Sequence, residues 1–406
     1  MTNRDAAVKI IRRLRSRGFE ALLAGGCVRD MLLKRTASDY DIATNACPGE
    51  VIKMFKRTRK VGAKFGVVIV LIEDKQIEVA TFRTETGYTD GRHPSSVEFA
   101  SAAEDASRRD FTINGMFYDP LKKEVIDYVQ GRADLKARLI RTIGEPAARF
   151  GEDYLRMLRA IRFSTQLGFA IEPKTFSAVY SHSKNISKIS GERIAMELEA
   201  ILISPKRSEG VSKLIQSGLA EEIFSGFSGD KAKLGVRILN HLRKNIDFPL
   251  ALSCLFAGFS TEYAIEKSGV LKLSRNQIKH IKFLLANRGK LLDRDMSLAQ
   301  LKLVVSEPYF RDLYELQRAI QKAESKSTSA LVNLRKRIKD LGDIELRPKP
   351  LLNGHDLILL GAARGPKLGQ LAEEMYIAQL EGKLHKKEQA RQWVENWLEK
   401  HKMIGE

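Results

Sequence analysis

Ser38-Asp-Tyr-Asp-Ile-Ala-Thr44, preceded by Leu22-Leu-Ala-Gly-Gly-Cys-Val-Arg-Asp30, is the stretch on which the reading of this chain turns. The apolar residue between Asp39 and Asp41 implies a strand over Asp39–Ala43, whose period of two puts both carboxylates on one face. Ahead of it, Gly25 and Gly26 let backbone N–H groups approach an anion, and Arg29 supplies a planar positive fork. Two acids able to share hard cations, behind a turn able to grip phosphate, suit phosphoryl or nucleotidyl transfer. Either element alone has a plainer explanation: a solvated edge strand for Asp-x-Asp, a tight turn for Gly-Gly. Their order and spacing favour the chemical one. The turn lacks a Gly-Lys-Ser/Thr ending and no GxGxxG follows the strand, which excludes a P-loop and a dinucleotide fingerprint.

Working outward, a helix is expected over roughly 4–17, a strand over 20–24 and a short helix over Val28 to Lys34. Residues 48–58 read as a helix with Pro48 at its first position. Val67-Val-Ile-Val-Leu-Ile72 and Gln76-Ile-Glu-Val-Ala-Thr-Phe82 flank Glu73-Asp74-Lys75 as a hairpin, and Val125–Val129 offers a further strand. From about residue 133 strand signals disappear, and leucine, alanine and charged residues recur at helical spacing to the end. Glu324–Ala330 is the best linker, followed by a basic helix at Leu331–Leu341 and a Pro-Lys-Pro break at 348–350. The expected fold is therefore α+β, a small head with a mixed β-sheet followed by an all-helical remainder.

A chain of 406 residues is too long for one ordinary core, so two to four domains are expected. Sixty-nine basic residues against 50 acidic ones leave a net charge of +19, which points to a polyanionic partner, nucleic acid before membrane. Cys27, Cys47 and Cys254 form no CxxC pair, against a disulfide framework or cysteine zinc site and in keeping with a reducing, cytoplasmic setting. The apolar run Pro249–Gly258 is too short to span a bilayer, and the basic amphipathic N-terminus has no signal-peptide core. No membrane association is expected.

Further chemistry-bearing residues accompany the aspartates. Glu78 is either a third carboxylate on a neighbouring strand or a cross-strand partner for Arg83. In Arg108-Arg109-Asp110-Phe-Thr-Ile-Asn114 the arginines can hold a triphosphate, and Asp110 or Asn114 can accept from a ribose hydroxyl; alternatively Asp110 is a helix N-cap. Along Gly151–Phe163, Asp153 and Arg156 face the same way on a helix, and Arg156, Arg159 and Arg162 make a basic row. A carboxylate acceptor beside a guanidinium donor complements cytosine and adenine, which each show an amine donor beside a ring-nitrogen acceptor. Uracil and guanine show the reverse. An ordinary surface salt bridge accounts equally for the pair taken alone. His355-Asp356 is a weak metal candidate, because the seven histidines never cluster at ligand spacing.

Taken together, Leu23–Asp30, Asp39–Thr44, Glu78–Arg83, Arg108–Asn114 and Glu152–Arg156, with the weaker Ser190–Leu198, resemble the class II tRNA nucleotidyltransferase and bacterial poly(A) polymerase family. They follow the family's order over roughly residues 20–200. The resemblance implies a seahorse-like arrangement: a catalytic head at 1–135, a base-selecting neck at 136–205, a body at 206–325 and an RNA-binding tail at 326–406. It implies that Asp39 and Asp41 hold catalytic Mg²⁺, with Glu78 beside them. Gly25, Gly26 and Arg29 would grip the triphosphate, Arg109, Asp110 and Asn114 would contact phosphate and ribose, and Asp153, Arg156, Arg159 and Arg162 would line the nucleotide. The implied partners are the tRNA 3′ end, CTP and ATP. Family members add CCA, only CC, only A, or poly(A). Val61-Gly-Ala-Lys-Phe-Gly66 carries Ala63 where the poly(A) polymerases have a basic residue, and Thr84–Val97 resembles in position the loop that lets the tRNA enzymes switch from C to A. CCA addition is therefore the favoured expectation.

Overall fold

The computed structural model describes residues 1–59, 66–88, 94–342 and 345–402. They form two compact units, Met1–Val236 with Glu266–Leu273, and Arg237–Ile265 with Ser274–Glu406.

The first unit opens with α1 (Asn3–Arg15), fixed at its start by a reciprocal capping box between Thr2 and Asp5. Ala6, Ala7, Ile10, Ile11 and Leu14 recur at helical spacing and are fully buried. Behind it lies a seven-stranded mixed sheet. In chain order its strands are β1 (Ala21–Ala24), β2 (Asp41–Thr44), β3 (Thr58–Arg59), β4 (Val67–Ile72) and β5 (Lys75–Thr81), then Phe117–Asp119 and Glu124–Ile126. Between Thr81 and Phe117 the chain makes a separate antiparallel pair, β6 (Arg83–Tyr88) and β7 (Pro94–Phe99), so the last two sheet strands are β8 and β9. The spatial order is β3-β4-β5-β2-β1-β8-β9. The pairing of β2 with β5 is parallel and its neighbours in the sheet are antiparallel. β1 is buried at every position, as a central strand should be. Phe82 and Phe117 meet edge to face at 5.8 Å in the core beneath it.

Several expected boundaries move for identifiable reasons. β1 ends at Ala24, where Gly25 turns the chain at φ 74°, so the ladder closes at Ala24 opposite Asp41. Asp39 is left just outside the strand expected to hold it. The helix expected over 48–58 is α3 (Pro48–Met54); Phe55 is extended, and Thr58–Arg59 joins the sheet. The short helix expected from Val28 is α2 (Gly26–Leu32), starting on the glycine pair. Asp127 accepts from the N–H groups of Val129, Gly131 and Arg132, which ends β9 short of Val129. The segment at Thr84–Val97 is a strand pair at its stem rather than a loop; its tip at 89–93 lies outside the described residues, as does Val61–Gly66 apart from Gly66.

After α4 (Ala102–Ser107) and α5 (Gly131–Ala137), helices predominate. A two-residue parallel pair, Leu139–Ile140 with Ala170–Ile171, interrupts the expected absence of strands. α6 (Pro146–Glu152), α7 (Leu155–Leu167), α8 (Pro173–His182) and α9 (Gly191–Leu202) follow. α7 is buried nearly all round, from Leu155, Met157 and Leu158 to Ile161, Phe163 and Leu167. Charged residues on such a helix need partners within the protein. Gly191 admits the chain at Val270, whose carbonyl oxygen would lie 2.0 Å from an added Cβ. That close approach fastens residues 266–273 to the first unit.

Helices are the regular secondary structure of the second unit's described residues, with Phe248–Leu255 wholly buried and Phe256, Phe259 and Tyr263 packed together. The expected linker joins the helices Phe310–Ala323 and Ser329–Asp340. Leu352, Leu357, Leu371, Met375, Val394 and Trp397 form a separate small core near its end, where the Trp397 indole donates to Glu374 at 2.7 Å.

Candidate active site

Parallel pairing of β2 with β5 sets Ile42 opposite Val79. Extending that register by one residue brings Asp41 beside Glu78, both open to solvent on the same side of the sheet. Asp39, just before β2, is exposed, and Ser38 Oγ donates to its Oδ2 at 2.9 Å. Among the described residues none of the three acids makes an ion pair. Enclosure by the surrounding protein, then repulsion from Glu78 and Asp39, pushes the Asp41 carboxyl up to about 6, against the opposing pull of Arg109. Its solvent contact and its raised pKa are compatible, because it lines the floor of an open cleft of about 520 Å³. Carboxylates that repel one another without an ion-pair partner among the described residues are hard oxygen donors of the kind a divalent cation takes.

The phosphate-binding candidates stand next to this face. Gly25, at φ 74° and ψ −131°, is in a conformation open only to glycine, and an added Cβ would meet Arg109 Nη1 at 3.1 Å. Arg29 Nη1 donates to Asn114 Oδ1 at 2.7 Å, while its Nε and Nη2 hold Asp30 at 2.9 and 3.0 Å. Arg108 and Arg109 share the buried Asp105, through contacts of 2.6 and 2.9 Å respectively. Burial opposes ionisation of Asp105, and the two guanidiniums overcome it and hold its pKa down.

The opposite wall is built from arginines already matched to carboxylates. Asp110, buried, accepts from Phe111 N, from Asn114 Nδ2 and twice from Arg159, at 2.8 and 2.6 Å. Although burial disfavours its charge, Arg159 and Asn114 hold it at about 2. Asp110 is therefore neither a helix N-cap nor a solvated acid. Arg162 faces Glu197 at 3.0 Å; burial raises the Glu197 pKa, and Arg162 and Arg159 oppose the rise. Phe163 underlies the row, its ring 5.3 Å from Arg29, 5.3 Å from Arg159 and 4.4 Å from Arg162. Asp153 and Arg156 are not neighbours on one helix, as their spacing predicts. The chain is extended at Asp153, between α6 and α7, where its Oδ1 accepts from Leu155 N at 3.0 Å and its Oδ2 from Arg193 at 2.8 Å. Arg156 instead pairs with Glu152 at 2.5 Å.

Gly25, Gly26, Arg29, Asp41, Glu78, Arg109, Asp110, Asn114, Asp153, Arg156 and Arg159 thus line one cleft. Asp39 acts on it through Asp41, and Arg162 stands behind it at Glu197. Arg108, one of the two arginines expected to hold a triphosphate, lines the cleft too, as do Arg83 and Arg193, to which the sequence assigns no role in the site. The clue to Arg193 was its place in the Ser190–Leu198 motif. His355 and Asp356 begin a helix in which Asp356 closes a capping box with Asn353, which explains that dipeptide without a metal. One histidine does stand between carboxylates elsewhere: buried His280 lies 3.6 Å from Asp247 and 3.3 Å from Asp312 and stacks on Tyr309. Arg243 also holds Asp312, at 3.2 Å, which marks an ion network between helices of the second unit.

Residues 21–141 match the poly A polymerase head domain, and residues 168–230 match the probable RNA and SrmB-binding site of polymerase A. A head of this kind with its cleft defines a nucleotidyltransferase. The chain is 35% identical over 399 residues to the CCA-adding enzyme of Lactobacillus johnsonii, covering 95% of each, and 45% identical over 218 residues to that of Bacillus subtilis, covering 53% of this chain and 55% of that one. A crystal structure of the Bacillus stearothermophilus CCA-adding enzyme in complex with CTP matches with a TM-score of 0.83, 29% identity and full coverage of both chains. The chain belongs to the family of CCA-adding enzymes.

Proposed function

We propose that this protein adds C, C and A in turn to the 3′ end of tRNA from CTP and ATP, releasing pyrophosphate. The observation that carries it is the convergence on one cleft of an acidic face, a glycine–arginine turn and the side chains of Asp153 and Arg156, an acceptor and a donor for an amine-bearing base edge. Asp39 and Asp41, with Glu78 beside them, are the residues that would hold Mg²⁺. When bound there, two such ions would supply charge that lowers the pKa of the primer's 3′-hydroxyl and offsets charge developing on the leaving pyrophosphate.

The protein's own groups orient the rest. Gly25, Gly26, Arg29 and Arg109 cradle the triphosphate, and Asn114, bonded to both Arg29 and Asp110, positions the ribose. Asp153 keeps acceptor capacity beyond its bonds to Leu155 and Arg193, and with Arg156 it selects cytosine or adenine over uracil or guanine. Residues 1–135 act as catalytic head, 136–205 as base-selecting neck, and 206–325 and 326–406 as RNA-holding body and tail. The net charge of +19 supports a tRNA partner, with binding that weakens steeply as salt rises. Among the described residues no helix is long and apolar enough to cross a membrane, and work on tRNA implies a cytoplasmic setting.

The test supplies Mg²⁺, CTP and ATP to tRNA ending before CCA, after C and after CC, and to oligo(A), with products sized at nucleotide resolution. Three additions needing both nucleotides are expected. A stop after CC, addition of a single A only, or long A tails on oligo(A) would each replace this proposal with another activity of the family.

A further inference from the structure

Arg149, on α6, reaches the cleft only through other residues. Its side chain is nearly buried, at 11% exposure, and its two terminal nitrogens are engaged in two directions. Nη1 donates to both oxygens of Glu152, at 2.7 and 2.6 Å. Nη2 donates to the carbonyl oxygens of Arg108 and of Arg109, the latter at 2.7 Å. Glu152 in turn takes Arg156 Nη1 at 2.5 Å, and Arg156 also donates to the Arg149 carbonyl at 2.9 Å and the Arg108 carbonyl at 3.3 Å. One planar cation therefore ties together the backbone that carries Arg108 and Arg109 and the carboxylate that orients Arg156.

We infer that Arg149 is a positioning residue that couples base selection to the grip on the triphosphate. The inference rests on the proposed roles of Arg109 and Arg156. A guanidinium cannot move one edge without the other, because its five donors are fixed in a plane. A base that engages Arg156 correctly pulls on Glu152, and through Arg149 sets the 108–109 carbonyls and the cleft-lining Arg109 side chain. A wrong base leaves Arg156 displaced and the phosphate grip misaligned. Misalignment of this kind costs up to about a hundredfold in rate when reacting atoms shift by about 1 Å. Lysine retains the charge, but its single ammonium cannot span two carbonyls and a carboxylate in a plane.

The experiment compares wild type with Arg149→Lys in single-nucleotide additions to tRNA, measuring kcat and KM separately for CTP, ATP, UTP and GTP below the melting point of either protein. The expected result is a fall of about ten- to a hundredfold in kcat/KM for CTP and ATP, carried mainly by kcat. UTP and GTP should change far less, so that discrimination collapses, while the KM for tRNA holds. Partial unfolding would lower all four nucleotides equally, so the ratio separates coupling from a structural role. Glu152→Gln should show the same signature, and the double variant should lose no more than the worse single one. Equal losses for all four nucleotides, or unchanged discrimination in an active Arg149→Lys protein, would overturn the inference. A wild type that adds neither C nor A to tRNA would instead remove the proposed function, and the inference with it.

Discussion

The two walls of the cleft manage charge in opposite ways. On one, Asp41 stands beside Glu78 and near Asp39, among described residues that offer no ion pair, and its carboxyl is pushed up to about 6. On the other, Asp110 sits against Arg159 and Asn114 and is held at about 2. The first wall is electrostatically incomplete and suited to receive cations. The second is internally matched, so its arginines are oriented before any nucleotide arrives. Catalysis by positioning needs both: a rigid frame that fixes geometry and a frustrated site that chemistry relieves.

The comparison breaks most visibly at the acidic wall. Asp39→Ala should lower nucleotide addition by on the order of a thousandfold or more, with tRNA affinity unchanged in a filter-binding assay. Lost tRNA affinity would mean that the aspartate supports the fold instead. At the matched wall the first effect should be on stability. Among the ion pairs of the described residues, Asp110→Asn leaves Arg159 that with Glu197, 4.0 Å away, and should cost about 3 kcal/mol in urea unfolding of the first unit. A cost under about 1 kcal/mol would show that the pair is not preorganising the wall.

Gly25→Ala should have a smaller effect, about 1–2 kcal/mol, because it forces a side chain into φ 74° against Arg109, and should raise the KM for both nucleotides. Smallest is a pH effect. The folded pKa of Asp41 lies above its ordinary value of 3.8, so its ionisation weakens the fold as pH rises through about 6. In a chelator, Asp41→Asn should therefore gain on wild type between pH 4 and 7, by less than about 1 kcal/mol once screening at this exposed site is counted. Asp110 has the opposite sign: its contribution is present above pH 3.8 and is lost only as pH falls through about 2.

How legible each wall was follows from how local it is. Gly25, Gly26, Asp39, Asp41 and Glu78 lie on short strands and turns whose chemistry depends on residues a few positions apart, and they were read from spacing. The strand limit at Asp41 is not legible in the local pattern because it depends on where β1 ends, a matter of register between segments. The arginine row was visible, but its partners were not. Asp110 meets Arg159, Asp153 meets Arg193 and Arg162 meets Glu197 across distances in sequence that helical spacing does not encode. The break between α6 and α7 at Asp153 is hidden for a similar reason: the helical pattern runs on through it, while the backbone there is extended and its side chain is bonded to Leu155 and Arg193.

The division of labour between the walls is tested most directly by thermal melting of wild type and Asp41→Asn, each with Mg²⁺ alone, CTP alone, or neither. Mg²⁺ should raise the Tm of wild type and leave Asp41→Asn unmoved, while CTP alone should raise both by similar amounts. A variant that loses its response to CTP together with its response to Mg²⁺ would contradict separate roles for the two walls.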